Sequence, residues 1–379
     1  MKILLTDPHL KGGGQVRYVE NLAQRLVAMG HEVVIGCKPG SVLVERARIA
    51  KCRSRDQFAF RGGLRPVVWW RDLRESMQFL REFNPDVIHV SGSQDHWTLA
   101  LANRMMGRPY CLVRTRHNTY PVHDGISNRI LNRDWTDYQI VVCDVVRQTL
   151  ARQRAFDAAR MCSIHNGVDA ALYAPDAASR ARVRREFGYA DDHIVCGIAA
   201  RLTPAKGHSF LLRACAALAP DFPQIRVLIL GQGEKEGELK RLAAETGISA
   251  VTTFAGFRDD MQACVQALDI GVQPSIDCDT SSFSLKEQMA AQKPVVASDY
   301  GGLTEIVTDG EEGLVVPAGT VDPLVRALRN LIEDPDRRAA MGAAGRARVL
   351  REFTVDVFAS RTVEAYHRAM TIHTARQHT

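Results

Sequence analysis

No stretch of this sequence longer than the 12 residues 246–257 is free of formal charge. A helix that crosses a bilayer needs about 20 mostly apolar residues, so a membrane span is not expected. Cysteine occurs nine times, yet there is no Cys-x-x-Cys pair and no Cys/His cluster at zinc spacing. An odd, dispersed set reads as reduced thiols and excludes a disulfide framework. No signal peptide develops, because Asp7 and Pro8 interrupt the opening Met1-Lys2-Ile3-Leu4-Leu5. These absences predict a cytoplasmic protein. Low-complexity and collagen-like segments are missing as well. What remains is an ordinary globular composition, 46% hydrophobic and 24% charged over 379 residues, enough for two or three domains.

Charge is unevenly placed. Residues 1–175 carry 25 Lys/Arg against 16 Asp/Glu, a net +9, while residues 176–379 carry 24 against 27, a net −3. A basic half suits an anionic partner: nucleic acid, acidic lipid or a phosphorylated substrate. No RNA-recognition, zinc-finger or helix-turn-helix signature is present, so nucleic acid is the weakest of the three.

Strand and helix patterns alternate along the chain. Short apolar runs at 2–6, 31–37, 86–90, 110–114, 139–143 and 161–164 read as strands. Val16, Val19, Leu22, Ala23 and Leu26 recur at helical spacing after the glycine loop Gly12-Gly13-Gly14, and Gly30 is placed to end that helix. After a crossing segment at 165–175 the alternation restarts, with strands at 194–199, 225–230, 251–254, 270–272 and 295–297. Helices are expected at 236–246 and 284–291, and the chain from 321 on reads as helical. This pattern predicts an α/β protein of two Rossmann-like, doubly wound domains facing across a cleft. The expected divisions are 1–168, 169–355 and a terminal helix at 356–379 returning to the first domain. Ligands of such sheets bind beyond the carboxyl ends of the strands, here in the cleft.

Three clusters there can carry chemistry. Two glycine loops, Gly12-Gly13-Gly14 and Gly231-Gln232-Gly233, follow strands, but neither completes a dinucleotide or phosphate-loop fingerprint. Each reads equally well as a tight turn or as exposed N–H groups for a phosphate. Arg201 and Lys206 stand five positions apart between a strand's end and a helix, where two cations can grip a diphosphate. In isolation they read also as two solvated surface charges. Residues 273–287 put many hydroxyls before a helix, with carboxylates at both ends, which suits a polyol such as a sugar. Asp277 and Asp279 have no third ligand beside them in the sequence, so no metal is expected.

Taken in order, these motifs resemble a known family. Arg201-Leu202 with Lys206-Gly207-His208, Gly231-Gln232-Gly233, Phe254-Ala255-Gly256-Phe257-Arg258-Asp259-Asp260 and Pro274-Ser275 are followed by Glu287-Gln288-Met289-Ala290, Lys293-Pro294-Val295-Val296-Ala297-Ser298 and Gly301-Gly302-Leu303-Thr304-Glu305. This text is similar to the retaining, nucleotide-sugar-dependent glycosyltransferases of family four, which have the GT-B fold. Gly30-His31-Glu32-Val33, Pro85-Asp86-Val87-Ile88-His89, Thr115-Arg116-His117 and Asn166-Gly167-Val168-Asp169 extend the likeness, more loosely, to the N-terminal half.

The resemblance implies metal-independent transfer, without a cofactor, of a hexose from a nucleoside-diphosphate-sugar to a glycan or glycolipid. It implies that Arg201 and Lys206 hold the leaving diphosphate. Gly13 and Gly14 would meet the same phosphates, and Gly233 belongs to the same donor site. Phe257 and Arg258 would line the base pocket, Glu287 would bind the donor ribose, and His117 would touch the donor sugar. The first acid of the family's paired-acid motif falls on Asp279, where the family has Glu. Its glycine-rich turn is replaced by Ser281 and Ser282 before Phe283 and Ser284. A variant sugar pocket follows, with Asp279 as its carboxylate. The candidate catalytic set is therefore His117, Arg201, Lys206 and Asp279.

The family places its acceptor on the N-terminal domain, whose +9 suits an anionic acceptor or an anionic membrane surface. Arg116 and His123, with Arg114, are candidates to face a phosphorylated glycan, and a bacterial envelope glycan such as a lipopolysaccharide core fits. Residues 61–74 mix Arg with Trp69 and Trp70, as lipid interfaces do, which would place the protein at the inner face of the cytoplasmic membrane. They read equally as a helix that buries Trp70 and Leu73. Two other functions fit parts of the pattern: a non-catalytic nucleotide-sugar-binding component of a glycan assembly complex, and a nucleotide-sugar epimerase.

Overall fold

The computed structural model describes residues 1–60, 66–120 and 122–378. The chain divides into two units, one of Met1–Gly167 with Val355–Thr379, the other of Val168–Thr354.

The first unit is built on seven strands: β1 (Lys2–Asp7), β2 (Glu32–Cys37), β3 (Arg53–Arg55), β4 (Val87–Val90), β5 (Cys111–Arg116), β6 (Tyr138–Val141) and β7 (Met161–Ser163). All pairings are parallel, in the order β3-β2-β1-β4-β5-β6-β7. The central strands are near-continuous apolar runs because helices cover both faces of a parallel sheet. Ile3, for example, is fully buried between Val33 and Val87. The second unit repeats the plan with β8 (Ile194–Ala199), β9 (Ile225–Leu230), β10 (Thr252–Gly256), β11 (Ile270–Gln273), β12 (Val295–Ser298) and β13 (Gly313–Val316), all parallel, in the order β10-β9-β8-β11-β12-β13.

In each sheet the chain runs outward over three strands and then returns beside the first of them. The strand order therefore reverses between β1 and β4, and again between β8 and β11. At such a reversal the loops leaving neighbouring strands diverge and open a crevice at their carboxyl ends. The two candidate sites described below lie there.

Two strands were not expected from the sequence. β3 is Arg-Ser-Arg at a sheet edge and has no apolar signal. β13 is four residues long and opens on Gly313, where a Cβ would stand 2.0 Å from the Val295 carbonyl oxygen, so only glycine brings the edge strand into register. The helix Ser93–Met105 opens where Asp95 accepts the N–H groups of Ser91 and Gly92. In the helix Pro66–Phe83 Leu73 is fully buried but Trp70 is 53% exposed, so the expectation that both are buried holds for Leu73 alone. The side chain of Asp72 anchors this helix by accepting from the N–H groups of Ala59 and Phe60. Residues 61–65 of the Arg/Trp patch lie outside the described residues.

The helix Val355–Gln377 belongs to the first unit. Tyr366 bonds the buried His89 imidazole at 2.6 Å, and His373 and Arg376 both reach Asp137, each at 2.9 Å. Among the described residues, no helix is long and apolar enough to cross a membrane.

Candidate active site

In the second unit, β8 ends at Ala199 and the chain turns through residues 200–207 into the helix His208–Leu218. Arg201 is exposed, and no carboxylate pairs with its guanidinium among the described residues. Lys206 is half-buried and carries an ion pair: its Nζ lies 3.0 Å from Asp279 Oδ2 and donates to the Cys278 carbonyl at 3.3 Å. So two of the four candidate catalytic residues, Lys206 and Asp279, are brought into contact, in the mouth of the β8/β11 reversal.

Glycines make this crevice narrow. A Cβ at Gly207, at φ +71°, would lie 1.9 Å from the Pro274 carbonyl oxygen. Gly233 would likewise meet the Leu202 carbonyl at 2.3 Å, and Leu202 and Lys235 exchange backbone bonds with this turn. These glycines bring three strand-end loops together, so the tight-turn reading of Gly231-Gln232-Gly233 applies at the least. Gly207→Ala is expected to cost about 2–4 kcal/mol, from the left-handed backbone and the carbonyl clash together. Urea unfolding would measure it, and a loss below about 0.5 kcal/mol would show that the loops can part.

The hydroxyl cluster is largely employed within the fold. Ser282 Oγ caps the helix Phe283–Ala290 by accepting from Leu285 N at 3.2 Å. Ser281 Oγ accepts from the fully buried Lys286 at 2.8 Å, and Ser284 Oγ accepts from Gln288 at 3.2 Å. Glu287 is buried in the second turn of that helix and Phe283 is half-buried. Phe257 is 66% exposed. Arg258 grips two carboxylates, Glu186 at 2.6 Å and Asp260 at 2.8 Å, and these ion pairs hold Asp260 below the usual carboxylate range.

In the first unit a cavity of about 850 Å³ opens beyond β1 and β4. Lys11, Lys38, Arg114, Arg116, His9, His117 and His123 line it, and no Asp or Glu does so among the described residues. Arg114 donates to the Gly92 carbonyl from a buried position, and Lys38 donates to Gln94 at 2.9 Å. Burial, reinforced by Arg114, pushes Arg116 down to about 9, which leaves it charged at neutral pH. His117 packs edge-on to Tyr18, ring centres 4.6 Å apart, and burial pushes its imidazole well below its ordinary value. It is a neutral hydrogen-bonding group, not a cation. Gly13 caps the helix Gly14–Ala28 without a side-chain bond, and no acid stands in the first turn. The N–H groups there favour an anion.

Sequence reading missed one pair at the edge of this cavity, whose histidine lines it. Asp7, fully buried at the end of β1, accepts from the backbone N–H of His9 at 2.7 Å and from its Nδ1 at 2.8 Å. The bond to Asp7 raises the His9 pKa, against an opposing effect of burial. The available signal was an acid at a strand's carboxyl end two residues before a histidine.

Comparison with known proteins fits this architecture. The model of Glycosyltransferase Family 4 matches residues 12–172, and that of Glycosyl transferases group 1 matches residues 179–348. The chain belongs to glycosyltransferase family four, and its two parallel-sheet units are those of the GT-B fold. It is 35% identical over 205 residues to a GDP-mannose-dependent monoacylated alpha-(1-6)-phosphatidylinositol monomannoside mannosyltransferase of Corynebacterium glutamicum, covering 52% of this chain and 53% of that one. It is 35% identical over 188 residues to a GDP-mannose-dependent alpha-(1-6)-phosphatidylinositol monomannoside mannosyltransferase of Mycolicibacterium smegmatis, covering 48% and 49%. The chain thus spans about half the length of these curated relatives. Among solved structures, Anabaena HepE in complex with UDP superposes with a TM-score of 0.85 at 22% identity, over 96% of this chain and 99% of that one.

Proposed function

We propose that this protein transfers a hexose from a nucleoside-diphosphate-sugar to an anionic glycan or glycolipid acceptor, with retention at the anomeric carbon and without a metal. The observation that carries the reading is Arg201 and Lys206 at the carboxyl end of β8, beside the strand-order reversal, on a chain of this family. As the bond between the anomeric carbon and the phosphate oxygen breaks, charge develops on the leaving diphosphate and on an oxocarbenium-like sugar. The two cations stabilise the diphosphate, the task a metal performs elsewhere. The departing phosphate oxygen takes the acceptor hydroxyl's proton while the new bond forms on the same face, so no strong protein base is needed. Neutral His117 suits a hydrogen bond to a sugar hydroxyl. The family's UDP- and GDP-linked donors leave the base to be found by experiment.

The four Lys/Arg side chains in the first unit's cavity, with no Asp or Glu among its described lining residues, support an anionic acceptor, and a lipopolysaccharide core or another phosphorylated envelope glycan has that chemistry. An acceptor of this kind would bring the protein to the inner face of the cytoplasmic membrane.

A thermal-shift panel of UDP-, GDP- and ADP-linked sugars tests the donor half. One base class is expected to raise the melting temperature of the wild type and not of Lys206→Ala. No shift with any of them would remove the donor assignment. A shift without nucleotide diphosphate release in the presence of acceptors would instead favour a non-catalytic binding component.

The acceptor half has a pH signature. Asp7 and, more weakly, Asp95 favour the charged form of His9, and Lys38 opposes it. Because the folded pKa is raised, the imidazolium is fully present below the unfolded value of about 6.5 and is lost as pH rises through the folded one. Affinity for a phosphorylated acceptor is expected to fall across that window. An NMR titration of His9 in the wild type and in Asp7→Asn reads the cause directly. An unchanged midpoint in the variant would refute it.

A further inference from the structure

The carboxylate that stands where the resemblance leads one to expect glutamate is engaged from within its own unit. Asp279 Oδ2 accepts from Ser275 Oγ at 2.7 Å, from Gln273 Nε2 at 2.9 Å and from Lys206 Nζ at 3.0 Å. Gln273 and Ser275 are 1% and 0% exposed, and they bond each other at 2.9 Å. The backbone carries the same strap. Ile276 N donates to the Ala205 carbonyl at 2.9 Å, and Gly302 N donates to the Asp279 carbonyl at 3.2 Å. Cys278, whose carbonyl takes the second bond from Lys206, is held at φ 51°, a costly conformation for a residue with a side chain.

An ammonium has three N–H groups. Two of those on Lys206 are committed to Asp279 and Cys278, which aims the third and restricts a long, flexible side chain. All three bonds converge on Oδ2, which has little acceptor capacity left, so this oxygen is committed to the lysine and its two buried neighbours. Glutamate at this position would carry its carboxyl one methylene further from the backbone.

We propose that Asp279 is the counter-ion and positioning residue of Lys206: it holds the ammonium where the donor's diphosphate lands. This inference rests on the donor site proposed above.

The test is calorimetric binding of UDP, GDP and ADP, and of UDP-glucose, GDP-mannose and ADP-glucose, to wild type, Asp279→Asn, Lys206→Ala and the double variant. For the base that binds wild type, Asp279→Asn is expected to weaken the free diphosphate about tenfold, by loss of a charge-assisted bond, and its sugar conjugate by the same factor. Lys206→Ala should weaken both by at least about thirtyfold, because it leaves a buried carboxylate uncompensated beside the phosphates. Adding Asp279→Asn to Lys206→Ala should then restore part of the affinity. A purely structural role for Asp279 gives no such restoration. A double variant weaker than Lys206→Ala, or a loss confined to the sugar conjugates, overturns the proposal. Ligand-free melting checks that each variant folds, and Ser275→Ala, expected to lose about threefold in diphosphate affinity, replaces Asp279→Asn if that variant does not. Binding by wild type with no change in Asp279→Asn overturns the positioning role alone. No binding by wild type overturns the donor site, and this inference with it.

Discussion

Arg201→Ala is expected to lower the turnover of sugar transfer by about 10²–10³-fold, the size of effect that one preorganised donor to a developing anion supplies. The same substitution should leave unfolding free energy within about 0.5 kcal/mol, as for a surface site without special contacts. The two expectations separate because Arg201 is exposed and, among the described residues, no carboxylate pairs with it. Its planar fork matches two phosphate oxygens at once, and a lysine there keeps the charge but not the fork. Arg201→Lys should therefore fall between alanine and wild type. Steady-state assays of nucleotide diphosphate release, with acceptor present, give the measurement. Undiminished turnover in Arg201→Ala would show that Lys206 alone carries the leaving group, or that the diphosphate lies elsewhere.

The second large effect is on stability, far from the chemistry. Asp137 is fully buried just before β6 and accepts four bonds: from Arg108 at 2.8 Å, and from Leu112 N, His373 Nδ1 and Arg376 at 2.9 Å each. Asp137→Ala leaves two guanidinium groups without their anion, and is expected to cost about 3–5 kcal/mol. That is a large share of the stability of an ordinary domain. Urea unfolding followed by circular dichroism would record it, and limited proteolysis should cut first within the helix Val355–Gln377, which Asp137 ties down. Asp137→Asn keeps acceptors for some of these donors and should lose less. A variant as stable as wild type would show that the helix is held by its apolar face alone.

Much of the architecture was legible in the chain. Parallel strands buried on both faces write themselves as apolar runs, and eleven of them were read from the sequence. The two that were missed are edge strands, one polar and one held in register by a glycine whose need arises from a neighbour's carbonyl. The cation pair was legible because a strand, a turn and a helix fix where Arg201 and Lys206 stand. What those cations touch was not. The Lys206–Asp279 ion pair joins residues 73 positions apart, and the bonds of Asp137 reach 236 and 239 positions along the chain. Arg258 was read as a base-pocket residue from its motif, and the fold pairs it with Glu186, 72 positions earlier. Motifs record local spacing; ion pairs are decided by which loops the sheet order brings together.

The discontinuity of the first unit has a consequence for how the protein is made. Residues 1–167 leave the ribosome with their seven strands complete but without the helix that supplies Tyr366 to His89 and two hydrogen-bond donors, His373 and Arg376, to Asp137. Until residue 377 has been synthesised, Asp137 lacks half of its partners and the face that receives that helix is bare. Domains tend to fold as units during synthesis, the N-terminal one first. Here the second unit, encoded in one uninterrupted segment, can finish earlier. The unit that is synthesised before the other is then the last to mature, and it is the one for which nascent chains would need protection from aggregation.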